Sequence, residues 1–366
     1  MKFFIEAIVF STLFLVASSQ VLVKPSQDKG SNSSHLSSGI YKSIYAKAKN
    51  ISHSKGHIIN VGGKDPEYRR SLIKKIEFKT HSMALRKILD TLKNCTDEEM
   101  VPILENLKLL VHEYDIAINF MNVGGLELIV PFAQMDNEDI ASAALSVLSA
   151  AMQGNPVVQK LVADNHVLDI LLENLVDKNQ KYFSSLLFTI SSYLRNMPES
   201  QLHFFRDDGI FFLALIIESN DSHKLKLHSI SILADLAMEI MDGSNINYQK
   251  MQLIKLFITG VQSTNVCKEI TSFLNDNNNI TNLDVIQLQY LIHEKIIHAM
   301  HALHKVCSRE FQSNRVKIAI EKLIKNYDPQ VKNTLYSKLD DELRTDIYLQ
   351  LKNIYEKIVL KEKDEL

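Results

Sequence analysis

Chain breakers recur in this sequence at intervals of about 42 residues, and helix-forming sequence runs between them. Three windows carry the repeat: Val123-Gly124-Gly125-Leu126, Asn165-His166-Val167-Leu168 and Asp208-Gly209-Ile210-Phe211, each a turn that opens an apolar helix. Gly125, His166 and Gly209 align as the turn position, about 41 and 43 residues apart. A second marker, Asn155-Pro156 and Met197-Pro198, repeats at about 42 and follows a long helix each time, predicted over 139–153 and 180–196. A helix-only repeat of this length is the signature of armadillo or HEAT units, whereas a TPR unit is nearer about 34 residues. One such unit cannot bury its apolar face alone, so neighbours stack.

The expected fold is therefore all-α: an armadillo-like helical solenoid, a curved stack with helical caps at both ends. Low Gly 11 and Pro 7 counts agree, because an all-β chain needs more of both in its turns. Met83, Leu85, Ile88, Leu89 and Leu92, then Leu104, Leu107, Leu110 and Val111, recur at helical spacing. In the armadillo arrangement the third helix of each triplet lines a concave groove. Those helices are predicted at 138–153, 178–196 and 222–241, with a looser repeat over 248–274. Helices before Tyr114 form the N-terminal cap and those over 283–361 the C-terminal cap. The folded domain spans 66–361, with core repeats about 114–275.

Both ends carry addresses. Met1-Lys2, a short apolar run from Phe3 to Ala17 and small residues up to Ser19 read as a secretory signal peptide over 1–19. The run falls short of the roughly 20 apolar residues of a membrane span, so no membrane insertion is expected. Residues 20–65, rich in Ser, Lys, Gly and His, read as disordered, with a short helix near 40–48. Lys363, Asp364, Glu365 and Leu366 spell KDEL within the 362–366 tail, the retrieval signal read by the KDEL receptor, which places the chain in the lumen of the endoplasmic reticulum (ER). There the sequons at Asn32, Asn50, Asn94, Asn220 and Asn279 are glycan acceptors where exposed. Three cysteines leave at least one unpaired in a monomer, the expected state; Cys267 with Cys307 is the pair considered for a disulfide, with free thiols as the alternative.

The search for chemistry is mostly negative. No nucleophile elbow, P-loop, dinucleotide fingerprint, zincin motif or EF-hand loop occurs, so no enzyme, no cofactor and no resident metal are expected. A formal net charge of -2 argues against a nucleic-acid partner. His293, His298, His301, His304 and Cys307 fall on one predicted helix, where His301, His304 and Cys307 form a band at i, i+3 spacing. One helix supplies two metal ligands comfortably and a third poorly, so half-buried capping histidines are the expected reading. Asp139 and Asp177 are expected to cap third helices. Asp235, within Ile232-Leu233-Ala234-Asp235-Leu236, must face the groove or be paired. Matching the repeats puts Ser192 and Asp235 at one third-helix position, with Phe188 and Ser231 a turn earlier and Arg195 and Glu239 a turn later.

Val111-His112-Glu113-Tyr114-Asp115-Ile116-Ala117-Ile118-Asn119-Phe120, followed by Val123-Gly124-Gly125-Leu126, resembles the start of the armadillo core in the nucleotide exchange factors for heat-shock chaperones. Asn155-Pro156-Val157-Val158-Gln159 is similar to that family's Asn-Pro-x-x-Gln loop. Leu186-Leu187-Phe188-Thr189-Ile190-Ser191-Ser192-Tyr193-Leu194-Arg195-Asn196, with Pro198 following, resembles its Leu-Ser-Ser-Leu-x-Arg helix; His166 stands where the family has Gly. The resemblance covers roughly 111–239. Signal peptide and KDEL together select the ER-lumenal, Sil-type branch, associated with the chaperone BiP.

The resemblance implies a co-chaperone that binds the nucleotide-binding domain of BiP and opens its cleft to release ADP, serving protein folding and translocation. The alternative is an ER-lumenal armadillo scaffold for another partner, without exchange activity. The candidate partner-binding residues are Arg195, Phe188, Ser192, Asp235, Glu239, Gln153, Ser146 and His228 on the third helices, with Asp115 and Asn119 at the start of the core. Arg195 is the leading contact, its guanidinium pairing with a chaperone carboxylate and its stem lying along Phe188 or Tyr193.

Overall fold

The computed structural model describes residues 81–173, 182–219, 222–243, 247–277, 286–331, 336 and 339–359, all within the second of two units, Met1–Gly56 and His57–Leu366. The expected leader, the 20–65 region, the KDEL tail, Asp177 and the sequons at Asn32, Asn50, Asn220 and Asn279 lie outside the described residues. Among the described residues there is no strand.

Helical residues 81–92 and helix α1 (Asp97–Val111) precede five triplets. The first is α2 (Tyr114–Asn122), α3 (Gly125–Ala133) and α4 (Glu138–Met152). The second is α5 (Pro156–Asp164), α6 (Val167–Glu173) and α7 (Phe183–Leu194). The third is α8 (Pro198–Arg206), α9 (Gly209–Glu218) and α10 (His223–Met241). The fourth is α11 (Tyr248–Gln262), α12 (Val266–Asn277) and α13 (Ile286–Leu303), and the fifth α14 (Ser308–Phe311), α15 (Asn314–Tyr327) and α16 (Asp341–Val359). The long helices α1, α4, α7, α10, α13 and α16 pack successively, each against the next, as a ladder. This corrects two boundaries. The looser fourth repeat acquires its third helix in α13, and the expected C-terminal cap is a further triplet. The helices of that triplet run 4, 14 and 19 residues, against 9, 9 and 15 in the first.

The breakers act as the spacing suggested, with a shifted register. The left-handed residues of these three turns are Gly124 (φ 84), His166 (φ 56) and Asp208 (φ 57), which immediately precede α3, α6 and α9 in turn. Gly125 therefore aligns with Val167 and Gly209, not with His166. The reason for glycine at two of these three places is steric. A Cβ on Gly125 would sit 2.4 Å from the Phe120 ring, and one on Gly209 2.3 Å from the Phe204 ring. Five residues before Val167 stands Val162, so the second repeat trades a phenylalanine–glycine contact for two valines, both buried. Gly209→Ala is expected to cost about 1–3 kcal/mol through overpacking. A double-mutant cycle with Phe204→Val, followed by chemical denaturation, should show non-additivity in the direction of rescue. Additive losses would mean that the ring is not what Gly209 accommodates.

Caps come from neutral side chains. Asn137 Oδ1 accepts the N–H groups of Asp139 and Ile140, so Asn137 caps α4 while Asp139 lies in the first turn, where its charge suits the helix dipole. Asn155, Ser222 and Asn247 cap α5, α10 and α11. Asn94 is exposed just beyond the first helical stretch, and Cys95, the middle residue of its sequon, is half-buried with a free thiol that burial pushes up.

Cys267 and Cys307 are joined in a disulfide, with 5.4 Å between their Cα atoms. The bond links α12 to the cap of α14, hence the fourth triplet to the fifth. It also revises the histidine band. α13 ends at Leu303, so Cys307 belongs to the next helix and its sulfur is committed. His304 Nδ1 meets the His301 carbonyl at 2.8 Å, and His301 Nε2 lies 2.7 Å from Lys357 Nζ. His293 is fully buried against Tyr327, Nδ1 to hydroxyl 2.9 Å, and burial lowers its pKa to about 4.

Candidate functional site

The ladder of long helices presents its less apolar edge as a seam of cross-repeat hydrogen bonds. Between α4 and α7, Ser142 bonds to Ser185 at 2.7 Å and Ser149 to Ser192 at 2.9 Å. Ser146 Oγ reaches Ser185 at 3.5 Å, and the buried Thr189 hydroxyl donates to the Leu145 carbonyl at 2.9 Å. Small hydroxyls at this spacing let the helices approach closely while each hydroxyl is satisfied.

Between α7 and α10 the seam becomes charged. Arg195, the residue that ends α7, is ion-paired through Nη2 with Asp235. Asp235 also faces His298 of α13, Nε2 to Oδ1 3.6 Å. Burial opposes its charge, but His298, Arg195 and Lys295 outweigh that and hold the carboxyl below its usual range. Glu239 accepts the Asn196 N–H at 2.9 Å and Gln201 Nε2 at 2.8 Å. Burial dominates at Glu239 and raises its pKa. Phe188 is partly exposed, its ring centroid 4.1 Å from that of His228. Desolvation, then Lys295 and Lys224, push His228 down to about 3, so its imidazole is uncharged at neutral pH.

The structure thus brings Phe188, Ser192, Arg195, His228, Asp235 and Glu239 together on adjacent rungs, with Ser146 one rung away and Gln153 exposed at the end of α4. It separates Asp115 and Asn119 from this seam. Both lie on α2, a first helix; Asp115 is exposed, and Asn119 donates to Ser82 at 3.3 Å. Tyr193 is fully buried and offers no surface to the Arg195 stem, because it points from α7 into the core.

Two glutamines outside the candidate set bind the end of α7. Gln159 Nε2 donates across the repeat boundary to the carbonyls of Ser192 at 2.7 Å and Arg195 at 2.9 Å. Gln201 Nε2 donates to the Leu194 carbonyl at 3.0 Å. Together they satisfy the carbonyls at the end of α7. Their signal was available, since Asn155-Pro156-x-x-Gln159 and Met197-Pro198-x-x-Gln201 repeat at the same period.

The family model described as SIL1/FES1/HPBP1 C-terminal domain matches residues 116–359. The chain is similar to a Mus musculus protein named Nucleotide exchange factor SIL1, 26% identical over 229 residues that cover 59% of this chain and 46% of that protein. It is also similar to a Saccharomyces cerevisiae protein named Hsp70 nucleotide exchange factor FES1, 24% identical over 209 residues, 55% of this chain and 68% of that one. The chain spans about half the length of the SIL1 relatives it matches. Among solved structures it superposes on a designed armadillo repeat protein with a TM-score of 0.51 at 13% identity, covering 74% of this chain and 99% of that one, which shows the shared fold.

Proposed function

This chain belongs to the SIL1/FES1/HPBP1 family, and from that premise we propose that it is a nucleotide exchange factor for an Hsp70 chaperone of the BiP type in the ER lumen. The family match over 116–359 is the observation that carries this reading, and the names of its relatives supply the activity. The lumenal assignment rests on the leader-like run at Phe3 to Ala17 and on Lys363, Asp364, Glu365 and Leu366. The Cys267–Cys307 disulfide suits that oxidising compartment.

The chain acts by binding, without making or breaking a covalent bond. It grips the chaperone's nucleotide-binding domain through the seam centred on Arg195, Asp235 and Phe188. It opens the nucleotide cleft only to the extent that it binds the open conformation more tightly than the closed one. By linkage, ADP weakens the complex by the same factor as the complex weakens ADP binding.

The test is release of a fluorescent ADP from purified BiP-type chaperone with and without this protein. Acceleration that saturates with its concentration is the expected result. Tight binding with unchanged release would favour the scaffold reading instead. For localisation, deleting the last four residues should move the protein into the culture medium, followed by immunoblotting of cells and medium. Full retention of the truncated chain would remove the retrieval argument.

A further inference from the structure

Away from the seam, four groups converge at the boundary between the second and third triplets. His203 and Asp207 sit at i and i+4 at the end of α8, and Asp169 projects from the first turn of α6. His203 Nε2 is 2.8 Å from Asp207 Oδ2 and 3.8 Å from Asp169 Oδ1, and one ligand atom from each of the three lies within 4.8 Å of the others. His166, held in the left-handed conformation that opens α6, places Nδ1 3.7 Å from the other Asp169 oxygen.

We propose that Asp169, His203 and Asp207, completed by His166, form a zinc-binding site that staples the second triplet to the third. Four considerations carry it. Ligand atoms around a tetrahedral Zn²⁺ bonded at about 2.0–2.1 Å stand a little over about 3 Å apart, and the observed separations bracket that value. Two ligands at i, i+4 on one helix with others from a second element is a spacing that a single ion bridges without backbone change. The donor set of imidazole and carboxylate selects a first-row transition ion over Mg²⁺ or Ca²⁺, which favour oxygen alone. Finally, Asp207 Oδ2 is the shielded oxygen of a side chain that is 39% exposed overall, and its ion-pair contact with His203 Nε2 already sets two of the ligands side by side.

The ion has a structural role here. None of its ligands lies on the long helices that form the seam, so the site stands or falls independently of the chaperone reading. Because the folded stack holds the ligands together and the unfolded chain does not, zinc raises the melting temperature.

The experiment uses the full chain, stripped with chelator and titrated with Zn²⁺ by calorimetry, with thermal melts in parallel. Cobalt substitution reports geometry through its visible absorption. About one equivalent of Zn²⁺ should bind, raise the melting temperature and, as Co²⁺, give the intense bands of a four-coordinate site. Asp169→Asn and His203→Gln should each weaken binding by at least about tenfold and abolish the zinc-dependent rise, while leaving the metal-free melt unchanged. The double variant His301→Ala, His304→Ala should bind as the wild type does, which separates this site from the other histidine pair. Absence of saturable binding, or binding that survives both Asp169→Asn and His203→Gln, overturns the proposal.

Discussion

Leu148→Asp leaves no stably folded protein at physiological temperature. Leu148 is fully buried on α4, the rung that packs against both α1 and α7. Replacing it removes about 2–3 kcal/mol of apolar burial and places a carboxylate between two helices. The described hydroxyls nearby are already committed, Ser142 to Ser185 and Ser149 to Ser192, and Thr189 to backbone carbonyls. An uncompensated buried charge adds several kcal/mol, so the total approaches the whole stability of an ordinary domain, about 5–15 kcal/mol. A stack is also stabilised largely by the interfaces between neighbours, and α4 takes part in two of them. Circular dichroism melts and urea titrations of Leu148→Asp and Leu148→Met check this. The methionine variant, with nearly the same volume, should lose less than about 1.5 kcal/mol. A cooperative melt for Leu148→Asp close to that of the wild type would contradict the packing described here.

Arg195→Ala should weaken chaperone binding by about 2 kcal/mol or more, roughly thirtyfold, with little change in melting temperature. The main structural alternative is that Arg195 stabilises the end of α7. That end is already served: Gln159 donates to the Ser192 and Arg195 carbonyls and Gln201 to that of Leu194. The pair with Asp235 remains half in solvent, the two side chains 47% and 37% exposed, so its own contribution is at most about 1 kcal/mol. On the proposed reading, Asp235 orients the guanidinium through that pair. Five donors in a rigid fork allow Arg195 to keep Asp235 and take a chaperone carboxylate as well. Asp235→Ala and Phe188→Ala should therefore weaken exchange in the same direction but less, the first by releasing the fork and the second by removing apolar contact. Labelled ADP release and thermal melts on the same three variants separate the roles. Normal exchange with a lowered melting point for Arg195→Ala would make it structural and move the contact surface elsewhere.

The period, the helical class and the turn positions were legible because they are local properties. An apolar stripe at three and four residues, a proline after a helix end and a left-handed residue before the next helix follow from the backbone within a few positions. The equal spacing of Gly124, His166 and Asp208, and of Asn155 and Met197, carries that local information from one repeat to the next. Contacts between repeats are different. Which residues of α7 meet α10 depends on how far and at what angle each triplet is displaced from its neighbour, and no local pattern encodes that displacement.

So the sequence by itself determined an armadillo-like stack, the long-helix position of Ser192, Arg195 and Asp235, and the candidacy of Cys267 with Cys307. Tertiary packing alone decided that Arg195 pairs with Asp235 and that Tyr193 turns inward. It also decided that α13 serves as a rung and that the two cysteines stand 5.4 Å apart. The histidine–aspartate cluster belongs to the same class, since Asp169 and His203 are distant in sequence and meet only when the second and third triplets stack. Helical periodicity specifies which face of each helix is buried, whereas the partner across that face is set by the rigid-body fit of whole triplets, a property that exists only once they are packed.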